Sequence, residues 1–121
     1  MSKQVLYIED NAFNRILVRR ILEAEGLTVL EADNAAEGIE IARKIQPDLI
    51  LMDLSMPELD GLTATRTLRD IPTLKNVPVV ALTANVMPDD RDRALEVCDG
   101  YIPKPIDVDN FPAEVQRYLR S

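Results

Sequence analysis

Five short apolar runs constrain this chain more than any other feature of its sequence. They are rich in β-branched and aliphatic residues and lie at Val5–Ile8, Thr28–Leu30, Leu49–Met52, Val77–Leu82 and Tyr101–Ile102. Between them, apolar residues recur every three or four positions, as they do in helices. Because parallel strands must be joined by a crossover, this alternation predicts an α/β fold, a doubly wound parallel sheet with helices on both faces.

An apolar stripe predicts the first helix, which we expect to end at Gly26. The stripe steps by three or four residues through Phe13, Leu17, Ile21 and Ala24, and Val18 and Leu22 widen it. In a globular protein the apolar face of such an amphipathic helix faces the core.

Boundary signals predict the other four helices. Asn34 and Glu37 resemble a capping box, and helical spacing continues to Pro47. The third helix follows Gly61 and includes Leu62, Thr65, Leu68 and Arg69, the fourth runs from Asp89 to Val97, and the fifth runs to the C-terminus. Because Pro112 lacks a backbone N–H, it suits only a first helical turn, so the fifth helix is expected to be capped near Asn110.

Composition excludes several classes of protein. The 121 residues are expected to form one domain spanning residues 1–121, with no output domain after the fifth helix. The net charge of −7 argues against binding to nucleic acid or to an anionic membrane surface. The single cysteine, Cys98, and an N-terminus without a secretory pattern predict a cytoplasmic location. The chain has no histidine, which removes the usual catalytic base and the usual zinc ligand.

Polar residues follow four of the predicted strands. Glu9 and Asp10 follow the first, Asp53 the third, Thr83 the fourth and Lys104 the fifth. Ligands of doubly wound sheets bind beyond the carboxyl ends of the strands, so these side chains are expected to converge. Two carboxylates 4 Å apart repel by about 4 kcal/mol at an effective dielectric constant near 20, and a hard, oxygen-seeking Mg²⁺ would relieve that repulsion.

Each of these residues also has an ordinary structural interpretation. An acidic pair after a strand commonly caps a helix, an aspartate or threonine commonly begins a turn, and a lysine commonly lies on the surface. Their coincidence at four strand ends favours a common site.

Four motifs contain these residues. They are Val5-Leu-Tyr-Ile-Glu-Asp-Asn11, Pro47-Asp-Leu-Ile-Leu-Met-Asp-Leu-Ser-Met-Pro57 with Asp60-Gly61, Val79-Val-Ala-Leu-Thr-Ala84, and Tyr101-Ile-Pro-Lys-Pro105. In this order they resemble the receiver domain of bacterial response regulators over essentially the whole chain. The resemblance implies a flavodoxin-like fold, with five parallel strands in the order 2-1-3-4-5 flanked by five helices.

The resemblance also implies roles for the strand-end residues. Glu9, Asp10 and Asp53, with the backbone carbonyl of Ser55, hold Mg²⁺ directly or through water. Asp53 is then the nucleophile that takes a phosphoryl group from a phosphohistidine. The donor is a histidine kinase or a histidine phosphotransfer protein, which fits a chain without histidine of its own.

The remaining implied roles concern the response to phosphorylation. Lys104 contacts a phosphoryl oxygen, and Pro105 after it suggests a cis peptide, with an ordinary trans turn as the alternative. Thr83 moves toward the new phosphoryl group and the Tyr101 ring turns inward behind it; the alternative for Tyr101 is an edge residue with its hydroxyl in water. A downstream protein is expected to bind the face formed by the fourth helix, the fifth strand and the fifth helix.

Two departures from the family pattern fall on that face. The segment between Thr83 and Lys104 is one residue short, and Pro112 is unusual. A second class of function is an enzyme on the same sheet, either a phosphatase for small molecules or a flavin carrier. Against it, Ser55 stands where a phosphatase of this class needs an aspartate, and no P-loop glycine motif occurs. A third interpretation, a receiver that no longer accepts phosphate, conflicts with the full set of strand-end residues.

Overall fold

The sheet has the predicted architecture. The structure is a computed structural model that describes residues 3–54, 61–83, 92 and 95–119. Its strands are β1 (Gln4–Ile8), β2 (Thr28–Ala32), β3 (Leu49–Asp53), β4 (Val79–Thr83) and β5 (Gly100–Pro103). All neighbouring strands pair in parallel, in the order β2-β1-β3-β4-β5. The predicted α/β fold class and strand order are therefore confirmed.

Helices cover both faces of this sheet. They are α1 (Ala12–Glu23), α2 (Ala35–Ile45), α3 (Gly61–Arg69) and a C-terminal helix (Phe111–Leu119), with a short 3-10 helix at Pro72–Leu74. Of the predicted fourth helix, Asp92 and residues 95–97 are helical, and its other residues lie outside the described part of the chain. Among the described residues, no helix is both long enough and apolar enough to cross a bilayer.

Helix boundaries follow the predicted signals. The Asn34 side chain accepts a hydrogen bond of 2.8 Å from the Glu37 N–H at the start of α2. The C-terminal helix begins one residue after Asn110, with Pro112 in its first turn, as predicted. The turn before it is held by Asp107, whose side chain accepts a hydrogen bond of 3.0 Å from the Asp109 N–H.

Two strand limits differ from the prediction by two residues, and the other limits differ by at most one. β4 begins at Val79 rather than Val77, because Pro78 has no N–H to donate to the sheet. β2 extends two residues beyond the prediction, through Glu31, whose carboxylate is paired with two arginines of α1. The apolar run in the sequence stops before Glu31 because Glu31 is polar, whereas the edge strand continues to Ala32.

The prediction of which residues lie at the centre of the buried face of α1 was wrong. The buried residues of α1 are Val18 and Leu22, which the prediction had placed at the margin. Phe13 is 73% exposed and Ala24 is also exposed, although both belonged to the expected inward face. The helix is rotated so that Phe13 reaches the surface near the carboxyl ends of the strands.

The core consists of two layers, one on each face of the sheet. Alternate residues of β1 point to opposite faces, so Leu6 and Ile8 join the layer under α2 and α3, while Val5 and Tyr7 join the layer under α1 and the C-terminal helix. β3 and β4 are buried along their whole lengths, as expected for central parallel strands. The sheet is therefore a rigid support for the side chains at its ends.

Candidate functional site

Parallel strands bring the predicted site residues to one edge of the sheet. Asp53 and Thr83 are the last residues of β3 and β4, Glu9 directly follows β1, and Lys104 directly follows β5. Glu9 and Asp53 are each 1% exposed, and Thr83 is 6% exposed. Charged groups this deeply buried need partners, which the following contacts supply for Glu9 and Asp53.

Three carboxylates lie together at this edge. Glu9, Asp10 and Asp53 each offer an oxygen, and these oxygens lie within 4.8 Å of one another. Glu9 and Asp53 are buried, whereas Asp10 is exposed. Oxygen ligands at this spacing suit a small hard cation such as Mg²⁺. Ser55, whose carbonyl was predicted as a further ligand, lies outside the described residues.

Lys104 joins the two buried carboxylates. Its Nζ is 2.9 Å from Glu9 Oε1 and 3.0 Å from Asp53 Oδ1. The Lys104 side chain is only 15% exposed, so these ion pairs are poorly screened by water. The Lys104–Pro105 peptide bond is cis, as the sequence suggested.

Glu9 is held by more groups than the sequence predicts. Its Oε1 also accepts hydrogen bonds from the Tyr7 hydroxyl, at 3.0 Å, and from Asn14 Nδ2, at 3.1 Å. Its backbone carbonyl accepts a hydrogen bond of 2.7 Å from the Arg15 guanidinium. Tyr7 could have been found, because residues two apart in a strand share a face. Asn14 and Arg15 could not, because their contacts depend on how α1 lies against the sheet.

These contacts shift the pKa values of the site. Burial raises the pKa of Glu9, but a hydrogen bond shared with Asp53, the hydrogen bond and charge of Lys104 and the Tyr7 hydroxyl outweigh it and lower the pKa to about 2. Burial lowers the pKa of Lys104, but the two carboxylates raise it above its ordinary value. Glu9 and Lys104 therefore stabilise each other's charged forms.

Two further shifts define what the neighbouring groups can do. Burial and the negative charge of Glu9 raise the pKa of Tyr7, so its hydroxyl stays protonated and available as a donor. Partial desolvation and the nearby Glu9 raise the pKa of Asp10. Repulsion of this kind is what a bound cation relieves.

The predicted switch residues lie on the two neighbouring strands β4 and β5. Ala81 of β4 is in register with Tyr101, and Thr83 is in register with Pro103. The Tyr101 ring is half-buried and packs against the core layer that contains Ala81 and Cys98. The movements predicted for Thr83 and Tyr101 stay predictions.

An open groove adjoins the site. It is lined by Phe13, Asn14 and Leu17 of α1 and by Lys104, Pro105 and Ile106 after β5. Phe13 is the most exposed of the large hydrophobic side chains in the described residues, at 73%. Phe13 and Leu17 give this groove an apolar rim beside the buried charges.

Comparison with known proteins gives one consistent result. The family model of the response regulator receiver domain matches residues 5–116. The chain is 41% identical over 120 residues to the polar-differentiation response regulator DivK of Brucella anthropi, covering 98% of each protein.

Solved structures agree with this result. The receiver domain of the sensor histidine kinase PA1611 from Pseudomonas aeruginosa, which has a magnesium ion coordinated in its active-site cleft, has a TM-score of 0.91 and 31% identity, with both chains fully covered. The chemotaxis protein CheY4 of Vibrio cholerae has a TM-score of 0.92 and 25% identity, covering 98% of this chain and 99% of that one.

Proposed function

The chain belongs to the response regulator receiver domain family, and from this premise we propose that Asp53 accepts a phosphoryl group from a phosphohistidine of a partner protein. The observation that carries the proposal is the position of Asp53. It ends a fully buried central strand, lies within 4.8 Å of two other carboxylates and is paired with Lys104. The family is a signalling module, and we propose that its only chemistry here is self-phosphorylation and slow self-dephosphorylation.

In the proposed step a carboxylate oxygen of Asp53 forms a bond to phosphorus as the phosphorus–nitrogen bond of the phosphohistidine breaks. The imidazole leaves with the electron pair of that bond and takes up a proton from solvent. The product is an acyl phosphate on Asp53. In such a transfer the protein contributes mainly by positioning the reacting groups and by stabilising charge, because there is little covalent chemistry for its other side chains to perform.

We propose that Glu9, Asp10, Asp53 and the carbonyl of Ser55 hold Mg²⁺. The described part of this set fits the ion, because three carboxylate oxygens lie within 4.8 Å of one another. When bound, Mg²⁺ supplies charge that screens the phosphoryl oxygens from the carboxylates. Lys104 would transfer from its carboxylate partners to a phosphoryl oxygen, which a compact ammonium on a flexible stem can reach.

We propose two protein partners. The phosphohistidine donor, a histidine kinase or a histidine phosphotransfer protein, would cover the groove beside Lys104, because this groove adjoins the site and its rim includes the exposed Phe13. A downstream target would bind the face that contains Tyr101 and the C-terminal helix. A cytoplasmic location is also a proposal; it is supported by the buried free thiol of Cys98.

Intact-mass measurement after incubation with acetyl phosphate and Mg²⁺ tests the acceptor. We expect one added phosphoryl group on the wild type and none on Asp53→Asn, because an amide oxygen is a poor nucleophile and gives no acyl phosphate. Asp70→Asn is the matched control, since Asp70 is an exposed aspartate just after α3, and it should be labelled like the wild type. Undiminished labelling of Asp53→Asn would overturn the assignment.

A further inference from the structure

One carboxylate oxygen of Glu9 accepts hydrogen bonds from three parts of the fold. Tyr7 of β1 donates to Oε1 at 3.0 Å, Asn14 of α1 at 3.1 Å, and Lys104 after β5 at 2.9 Å. A carboxylate oxygen has about two lone-pair directions, so three donors compete for it. The other oxygen, Oε2, accepts a long hydrogen bond of 3.4 Å from the Asn11 N–H. The two oxygens of this carboxylate therefore have different surroundings.

Lys104 also serves a second acceptor. Its Nζ lies 3.0 Å from Asp53 Oδ1, so it holds both buried carboxylates at once. In the function proposed above, Lys104 leaves Glu9 for a phosphoryl oxygen. Glu9 is 1% exposed and cannot exchange that lost partner for bulk water. It needs donors that do not take part in the transfer.

We propose that Tyr7 and Asn14 are positioning residues that hold Glu9 Oε1 in place, so that Oε2 is kept for Mg²⁺ and Lys104 is free to leave. The inference rests on the proposed metal site. Tyr7 is rigid in this role, because its side chain is completely buried in the core layer under α1. Asn14 approaches from a different element, and the two donors together fix both the position and the rotation of the carboxylate.

The hydroxyl of Tyr7 is what distinguishes this arrangement from ordinary packing. Tyr7 stands in a strand whose neighbouring residues are aliphatic, and a phenylalanine would fill the same space without burying a polar group. The hydroxyl therefore requires a partner, and it finds one in a residue of the proposed metal site. A hydroxyl with a merely structural role would affect the melting temperature and leave the affinity for Mg²⁺ unchanged.

The test is a calorimetric titration of the unphosphorylated protein with Mg²⁺. We expect Tyr7→Phe to raise the dissociation constant for Mg²⁺ about 10-fold, the lower end of the loss seen when outer partners of a metal ligand are removed. Asn14→Leu, which keeps the shape of the side chain and removes its donor, should act in the same direction. It also keeps the test valid if Tyr7→Phe is poorly folded, because Asn14 is only half-buried.

The matched control is Tyr118→Phe. Tyr118 lies near Gly100, at the opposite end of β5 from Lys104, and its substitution should leave the dissociation constant at the wild-type value. Wild-type affinity in both Tyr7→Phe and Asn14→Leu would overturn the inference while leaving the metal site intact. Absence of Mg²⁺ binding by the wild type would overturn the metal site and the inference together, and labelling of Asp53 by acetyl phosphate tests the acceptor separately.

Discussion

Glu9 and Lys104 show how single residues in this site depend on each other. Each would lose charge if buried alone, yet at a separation of 2.9 Å each keeps the other ionised. Both side chains are therefore already ionised in the unliganded protein. The effect on stability follows from the direction of the Glu9 shift.

The pKa of Glu9 is lowered on folding from the ordinary value of 4.5 for a glutamate to about 2. A carboxyl group with a lowered pKa stabilises the fold above its unfolded pKa, and this stabilisation is lost as the pH falls through the folded pKa. We therefore expect the difference in unfolding free energy between wild type and Glu9→Gln to fall between about pH 4.5 and pH 2, by up to about 3 kcal/mol.

Urea unfolding at a series of pH values measures this difference. Glu25→Gln is the control, because Glu25 is an exposed carboxylate after α1 and its substitution should give a curve parallel to the wild type. Parallel curves for wild type and Glu9→Gln would contradict the expected pKa shift.

At the scale of elements, the close approach of α2 to β1 positions the strand that directly precedes Glu9. Gly38 of α2 faces Ile8, the last residue of β1, and an added Cβ at Gly38 would lie 2.4 Å from Ile8 Cδ1. No side chain fits in this gap unless the Ile8 side chain, the strand or the helix moves. Arg69 makes a second connection between elements, since its guanidinium donates to the carbonyls of Val97 and Val77 and is paired with Asp99.

We expect Gly38→Ala to destabilise the protein by about 1 to 3 kcal/mol, because overpacking against Ile8 outweighs the better helix propensity of alanine. Ile8→Ala alone should cost about 2 to 5 kcal/mol through the cavity it leaves. The double variant should be more stable, by about 1 kcal/mol or more, than the sum of the two single-variant losses predicts. The reason is that the new methyl group at position 38 enters the space left by the removed side-chain atoms of Ile8.

Denaturant unfolding of the four proteins gives the coupling energy. Gly38→Ala combined with Leu68→Ala is the control, since Leu68 lies on α3 in the same core layer and is not among the atoms nearest to the added Cβ. That pair should be additive. Additivity of the Gly38 and Ile8 changes would contradict the expected close packing of α2 against β1.

For the whole molecule, the question is how a charge added at the sheet edge changes a face formed by β5 and the C-terminal helix. Thr83 and Tyr101 lie on neighbouring strands, one at the site and one on that face. A ligand or a phosphoryl group can shift an equilibrium only through different affinities for its two states. The proposed route therefore requires Thr83 to bind the phosphoryl group better when the Tyr101 ring is turned inward.

Thr83→Ala should separate phosphorylation from this response. The variant should still be labelled at Asp53, because the hydroxyl of Thr83 is not the acceptor. Without that hydroxyl, the change in the NMR chemical shifts of Tyr101 on adding beryllofluoride and Mg²⁺ should shrink to less than half. Thr67→Ala, which removes an exposed hydroxyl on α3, is the control. A full response at Tyr101 in Thr83→Ala would exclude this route.

The sequence predicted the order of elements and the chemistry of the strand ends. The period of apolar residues distinguishes strands from helices, and parallel strands bring their carboxyl ends to one edge whatever the details of packing. For that reason Glu9, Asp10, Asp53 and Lys104 could be grouped from the sequence before any distance between them was known. Their roles were taken from the family resemblance.

Tertiary structure alone decided which other side chains meet that group. Periodicity leaves the rotation of a helix about its axis uncertain, so Phe13 was expected inside and lies at the surface. The same rotation brings Asn14 and Arg15 to Glu9. Contacts of this kind depend on distances between elements far apart in sequence, and local spacing carries no information about them. The sequence by itself therefore determined the charges of the site, and only packing determined how those charges are held.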